Sequence, residues 1–190
     1  MTNVTIFGTG NMGSAIAGVL AAGGASVDHL GSAETGTITG DIVVLAVPYP
    51  ALATIVEQYA DQLAGKVVVD ITNPLDFSTF DALTVAAGSS AAAELQAKLP
   101  SSRVLKAFNT NFAATLAAKQ VGEAATTVLI AGDDAEAKAT LQQLVTAGGL
   151  EAVDAGSLKR AHELEAIGFL QLTLAASEKI SWTAGFALVK

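Results

Sequence analysis

The chain has 190 residues, 51% of them hydrophobic, with a formal net charge of −8 and a pI near 4.6. This length suits one domain, or one domain with an extension, and the acidic balance disfavours nucleic-acid backbones and anionic membranes as partners. Cysteine is absent, which excludes disulfides, thiolate nucleophiles and cysteine metal sites.

Mean hydropathy is +0.49. Even so, no apolar run approaches the roughly 18 residues a membrane-spanning helix needs. The first Lys or Arg is Lys66, so no basic n-region of a signal peptide opens the chain. A cytoplasmic protein with no membrane contact and no metal centre is expected.

The first strand candidate, Val4 to Phe7, runs into Gly8-Thr9-Gly10-Asn11-Met12-Gly13, and the Ala-rich helical stretch Met12 to Ala22 follows. A G-x-G-x-x-G run between a strand and a helix is the order a dinucleotide-binding turn requires. Gly8 allows the tight turn, Gly10 lets a pyrophosphate approach the backbone, and Gly13 lets the helix pack closely. The helix N-terminus would aim its free N–H groups at the phosphates. A tight turn without a ligand is the bland alternative.

The second strand, Ala25 to Leu30, ends at Leu30-Gly31-Ser32-Ala33. Such sites choose their dinucleotide here: an acidic residue binds the ribose 2′-OH of NAD, whereas small and polar residues accommodate the 2′-phosphate of NADP. Gly31 at the acidic position and Ser32 beside it favour NADP. Asp28 or Glu34 could serve NAD if the register shifts, and His29 is the only nearby group able to carry positive charge. Residues 31–40 are too few and too rich in Gly, Ser and Thr for a full crossover helix, so a loop is expected there.

The third strand, Ile42 to Val47, closes on Ala46-Val47-Pro48-Tyr49-Pro50, and a helix follows over Ala51 to Leu63. Pro48 stiffens a loop at the carboxyl edge of the sheet, where open α/β sheets bind ligands. The fourth strand, Val67 to Ile71, leads to Asn73-Pro74. The Asn73 amide suits a nicotinamide carboxamide or a ribose hydroxyl, or else simply opens a turn. A helix over Ser90 to Lys98 precedes the fifth strand, Arg103 to Phe108. That strand's end brings Lys106, Asn109 and Asn111 to the same rim.

Beyond it, a helix over Ala113 to Lys119, a strand over Thr126 to Ala131, a helix over Ala135 to Ala147 and a strand over Glu151 to Asp154 continue the alternation. Strands that read as continuous apolar runs are buried on both faces. The expected fold is therefore α/β: a Rossmann-type doubly wound, mostly parallel sheet over residues 1–156. Residues 157–190 lack strand signals. Leu158, Leu164, Ile167, Leu170, Leu174 and Ile180 recur at helical spacing, predicting one long helix or two. This C-terminal helical extension would pack on the sheet or on a partner subunit. Ser157 reads as its N-cap. Lys159, Arg160 and His162 either meet an anionic group or pair with Glu163 and Glu165 on a solvated face.

Taken together, G-T-G-N-M-G, G-S after the second strand, A-V-P, D-I-T-N-P-L, K-A-F-N-T, A-G-D-D-A-E-A-K and D-A-G-S-L-K-R-A-H-E-L-E resemble the deazaflavin-dependent NADP reductase family, in particular its small bacterial members. The resemblance spans nearly the whole chain in motif order. It implies NADPH as cofactor, a deazaflavin or flavin-like electron acceptor and, often, a dimer, for which the C-terminal helix is the candidate contact. By position, Thr9, Gly10, Asn11 and Met12 would hold the pyrophosphate and Ser32 the 2′-phosphate. Ala46, Val47 and Pro48 would touch ribose and nicotinamide. Asn73, with Pro74 beside it, and Asn109 would lie near the hydride face. Ala33 departs from the family, which places Arg or Lys after that serine.

The expected activity is hydride transfer between NADP(H) and a planar acceptor, with Asn73 and Asn109 as positioning groups and His162 as an outside proton donor. A dinucleotide-binding sensor without turnover is the alternative. A 3-hydroxy-acid-type dehydrogenase would need a helical-domain lysine, for which only Lys179 is available.

Overall fold

The computed structural model describes residues 1–31 and 36–189. The strands are β1 (Asn3–Phe7), β2 (Ser26–Leu30), β3 (Ile42–Leu45), β4 (Val67–Asp70), β5 (Arg103–Lys106), β6 (Gln120–Val121), β7 (Ala124–Ala125), β8 (Thr127–Gly132) and β9 (Glu151–Gly156). The helices are α1 (Asn11–Ala22), α2 (Ala51–Leu63), α3 (Ala91–Lys98), α4 (Ala113–Ala118), α5 (Ala135–Ala147) and α6 (Ala161–Ala176). The main sheet runs in the order β2-β1-β3-β4-β5-β8-β9. The order reverses at β1, as in a doubly wound fold, so the carboxyl ends of β1 and β3 diverge into a crevice.

Burial on both faces follows from the period-two alternation of a strand. Val4, Ile6, Ile42, Val44, Val67 and Val69 face a core shared with α1, α4 and α5. Phe7, Val43, Leu45, Val68 and Val104 face the opposite core, shared with α2 and α3. From β2 to β5 every pairing is parallel. β8 then enters antiparallel to β5, and β9 runs parallel to β8. The reversal has a local cause. α4 is only six residues long, ends at Lys119 with φ of +60°, and hands over to the β6–β7 hairpin instead of a full crossover.

Strands β3, β4 and β5 end earlier than their apolar runs predict, at Leu45, Asp70 and Lys106. At β5 the cause is Phe108, whose φ of +62° turns the chain off the sheet. Between Gly36 and Asp41 no helix forms, as the composition of that stretch implies.

The C-terminal helix is present but shorter than its apolar spacing predicts. A short 3-10 turn, Leu158–Arg160, leads into α6, and the helix stops at Ser177. The Ser177 Oγ returns to the Thr173 carbonyl, and Glu178 adopts a φ of +59°. Residues 177–189 are irregular. Ser157 occupies a cap position without capping; instead the Asp133 carboxylate accepts from the Leu158 N–H at 2.9 Å. One face of α6 packs back on the protein through Leu164, Glu165, Gly168, Gln171 and Ala175, while Leu170 on its outer side is exposed. Among the described residues no helix is long and apolar enough to cross a membrane, and no cluster of potential metal ligands occurs.

Candidate functional site: a dinucleotide cradle and an asparagine-lined cleft

The first part of the site is the β1–α1 turn. Gly8 sits at a φ of +110°, and a Cβ there would lie 2.2 Å from the Ala46 carbonyl oxygen. A Cβ on Gly13 would come within 2.4 Å of the Gly8 carbonyl, whereas the space around Gly10 is open. The glycines thus differ in kind: two are demanded by the protein itself, and one leaves a gap that only a ligand would fill. α1 begins at Gly10 with no side-chain cap and no acidic residue in its first turn. Its first N–H groups are free for an anion. Thr9, Gly10 and Asn11 are exposed at this mouth, with Met12 partly buried beside them.

Next to the turn lies a pocket of about 170 Å³ lined by Phe7, Gly8, Leu30, Gly31, Val47, Thr54, Ile55, Gln58 and Tyr59. α2 supplies the wall that a β2–β3 crossover helix would otherwise give, a contribution that sequence spacing does not reveal. Ser32, Ala33 and Glu34 lie outside the described residues. The Asp28 carboxylate accepts from the Thr5 and Thr39 hydroxyls, so it is engaged on the sheet. The His29 ring is tied to the Gly8 carbonyl at 3.0 Å. Ala46 continues the ladder to Phe7, and the Pro48 carbonyl opens α2 by accepting from Ala51 N–H.

The second part is a cleft of about 440 Å³ at the ends of β4 and β5. Asn11, Met12, Ile71, Asn73, Phe77, Phe108, Asn109, Asn111, Phe112, Leu172 and Trp182 are among its lining residues. Asn73 and Asn109, 36 residues apart, are locked face to face. Asn109 Nδ2 donates to Asn73 Oδ1 at 2.9 Å and to the Leu164 carbonyl at 2.8 Å, and Asn73 Nδ2 donates to the Asn109 carbonyl at 2.9 Å. Asn111 Nδ2 donates to the Thr127 carbonyl. The carbonyl oxygens Asn109 Oδ1 and Asn111 Oδ1 are buried without a protein partner. Buried amide oxygens are rarely left so, and both belong to residues that line the cleft. Pro74 is buried behind the rim, its carbonyl accepting from Thr84.

Beneath the asparagines sits an ion cluster that the strand-end reading placed on the rim. Lys106 is fully buried. Its ammonium donates to Asp70 Oδ2 at 2.9 Å, Glu165 Oε1 at 2.7 Å and the Thr72 carbonyl at 2.5 Å. Glu165 also accepts from the Ala91 and Ala92 N–H groups at the start of α3. Burial raises the Glu165 pKa above its ordinary value, against the opposing pull of Lys106. Thus Glu165 does not join a basic surface group, as its neighbourhood in sequence suggests; it spans α6, α3 and β5.

The basic residues around the start of α6 are peripheral to the cleft. Arg160 pairs with Glu163 at 2.9 Å on the surface, and Lys159 is exposed. His162 Nδ1 is held at 2.9 Å from the Ser89 carbonyl and does not line the cleft. Lys179 is also outside it, exposed past the end of α6. Tyr49, which follows Pro48, donates to Glu94 at 2.6 Å; burial and that carboxylate push its pKa up to about 12.

This geometry can be set beside known proteins. Residues 25–74 match the family described as NADP oxidoreductase, coenzyme F420-dependent. Over 132 residues the chain is 31% identical to the F420-dependent NADP reductase of Methanocaldococcus jannaschii, covering 67% of this chain and 59% of that one. Over these parts of its length the chain is similar to the coenzyme F420-dependent NADP oxidoreductase family. It is also 40% identical over 110 residues to the rat metalloreductase STEAP3, covering 57% of this chain and 21% of that protein. The curated relatives are therefore longer than the part this chain spans. A crystal structure from Arthrobacter sp. FB24, described as a candidate F420-dependent NADP reductase, superposes with a TM-score of 0.84 at 25% identity and full coverage of both chains. The family match bears out the motif resemblance, and the superposition bears out the fold.

Sequence reading missed Phe77, Phe112, Leu172 and Trp182 in the cleft, and Asp70 with Glu165 around Lys106. Nothing in their spacing announces them, since they meet only across tertiary contacts.

Proposed function

We propose that the protein is an NADPH-dependent oxidoreductase that delivers hydride to a planar deazaflavin- or flavin-like acceptor. The observation that carries this reading is the continuity of the two parts: Asn11 and Met12 belong both to the uncapped helix N-terminus and to the wall of the asparagine-lined cleft. The residues fit the dinucleotide. The open space at Gly10 and the free α1 N–H groups suit a pyrophosphate, and the pocket between Gly31 and α2 suits the adenosine end. Bound NADPH would supply a hydride from its nicotinamide C4.

The chain's own part is to position and to exclude water. Asn73 and Asn109 hold each other's amide planes at the cleft wall, Asn109 Nδ2 donating to Asn73 Oδ1 and Asn73 Nδ2 to the Asn109 carbonyl. Ile71, Phe108 and Phe112 are buried and keep the inner end dry. Among the described residues lining the cleft none is charged, which favours an uncharged ring over a hydroxy acid as substrate. The presence of the cleft also favours turnover over a sensor that merely binds NADP(H).

Calorimetric titration with NADPH and NADH, followed by turnover of Asn73→Ala and Asn109→Ala, tests this reading. NADPH should bind more tightly than NADH, because the sequence has Gly31-Ser32 and no acidic residue where an NAD site places its carboxylate. Each alanine variant should lose about 100-fold in turnover, on the scale of one lost preorganised hydrogen-bonding group, with little change in NADPH affinity. Unchanged turnover in both variants overturns the positioning role. We further propose that the exposed side of α6 and the tail, with Leu170, Phe186 and Leu188, mediates homodimerisation, to be checked by sedimentation.

A further inference from the structure

We infer that Trp182 is the residue that recognises the acceptor ring, and that it selects an uncharged, extended aromatic ring system over small carbonyl or imine substrates. This rests on the proposed oxidoreductase reading.

Trp182 is the single tryptophan of the chain. It is 52% exposed, yet it lines the cleft and packs on Phe112, with ring centroids 5.2 Å apart and planes tilted by 51°. An indole packed on a buried ring but half open has π surface left for another aromatic partner.

Its position is built. The Ala184 N–H donates to the Ser181 carbonyl at 3.0 Å, closing a turn with Trp182 inside it. Phe186 N–H donates to Gln171 Oε1 at 3.1 Å, and Gln171 is 1% exposed. The tail is thus anchored to α6 on the far side of the tryptophan, and the indole is held at the mouth. Phe77, also half exposed, lines the same cleft.

The chemistry of the wall names the ligand class. Aromatic faces supply stacking to any flat π system, and the rest of the described lining, with Asn73, Asn109 and Asn111, carries no charge. A fused uncharged ring can cover the open aromatic faces; a small aliphatic substrate covers neither and would leave the indole wet.

Tryptophan emission provides a readout independent of turnover. The full-length protein is titrated, without NADPH, with FMN and with 8-hydroxy-5-deazariboflavin, and corrected emission is followed. At least one ring should quench emission saturably. Stacking on one aromatic side chain is worth about 1–3 kcal/mol, so Trp182→Ala should raise the acceptor KM about tenfold or more with NADPH affinity within about twofold. Trp182→Phe should recover most of that loss.

Emission unmoved by both rings overturns the inference, as does an acceptor KM unchanged in Trp182→Ala. A blue shift that grows with protein concentration and blocks quenching also overturns it, because a second copy would then cover the indole. Absence of NADPH binding sinks the proposed function instead, while the quenching arm still decides on Trp182.

Discussion

The two rims of the site are made in opposite ways. The β1–α1 cradle consists of six consecutive residues, and its constraints are backbone constraints: Gly8 against Ala46, and Gly13 against Gly8. The asparagine rim is assembled from β4, β5 and α6, with Asn73, Asn109 and Leu164 joined across 36 and 55 positions. The first rim is encoded locally and depends on the absence of side chains. The second depends on a buried ammonium, two carboxylates and a helix laid across the strand ends. A phosphate needs only N–H groups and room. A reacting ring needs side chains fixed by supporting contacts.

The sharpest way to break this contrast is to remove the support. Glu165→Ala leaves the Lys106 ammonium with only one carboxylate and strips the α3 N–H groups of their acceptor. Removing one partner of a buried charge network costs about 3–5 kcal/mol, and denaturant unfolding should register a loss of that size. Turnover should fall further than NADPH affinity, since the cradle shares none of these contacts.

Next come two glycine substitutions, one for each rim. A Cβ at Gly168 would lie 2.2 Å from Asn73 Oδ1, and one at Gly13 would lie 2.4 Å from the Gly8 carbonyl. Crowding of this kind destabilises by about 1–3 kcal/mol. Gly168→Ala should displace the Asn73 amide and reduce turnover while NADPH still binds. Gly13→Ala should weaken NADPH binding about tenfold or more. Equal effects of both variants on NADPH affinity would erase the distinction between the rims.

Acidity sharpens it further. Glu165 has a folded-state pKa raised above its ordinary 4.5. Between 4.5 and the raised value the folded chain holds more protons at this site than the unfolded chain. Its contribution is therefore fully present below that window and declines as pH rises through it. Wild-type stability should fall relative to Glu165→Gln as pH climbs across this range, in parallel unfolding curves. At the small end, Glu163→Ala removes only the exposed pair with Arg160 and should change stability by less than about 1 kcal/mol.

The strand–helix alternation was legible because apolar β-branched runs and Ala-rich stretches differ in period and composition. The strand ends were less so. Lys106 looks like a rim residue in sequence, because a lysine at a strand terminus normally reaches water. It is buried because α6 carries Glu165 over it. His162 sits among charged neighbours in sequence, but its Nδ1 is bound to the Ser89 carbonyl. Ile180 prolongs the helical spacing, yet α6 has already ended, because the backbone turns at Glu178. Periodicity registers a face to be covered; it does not register where the helix stops.

By itself, the sequence determined the α/β class, the alternation of strands and helices along the chain and the glycine turn after β1, because each depends on residues within a few positions of one another. Only the tertiary structure decided which side chains meet at the strand ends: the Asn73–Asn109 pair, the Asp70–Lys106–Glu165 cluster and the Trp182 wall. These are contacts between distant segments, set by where α6 and the tail cross the sheet, and no local pattern carries that information.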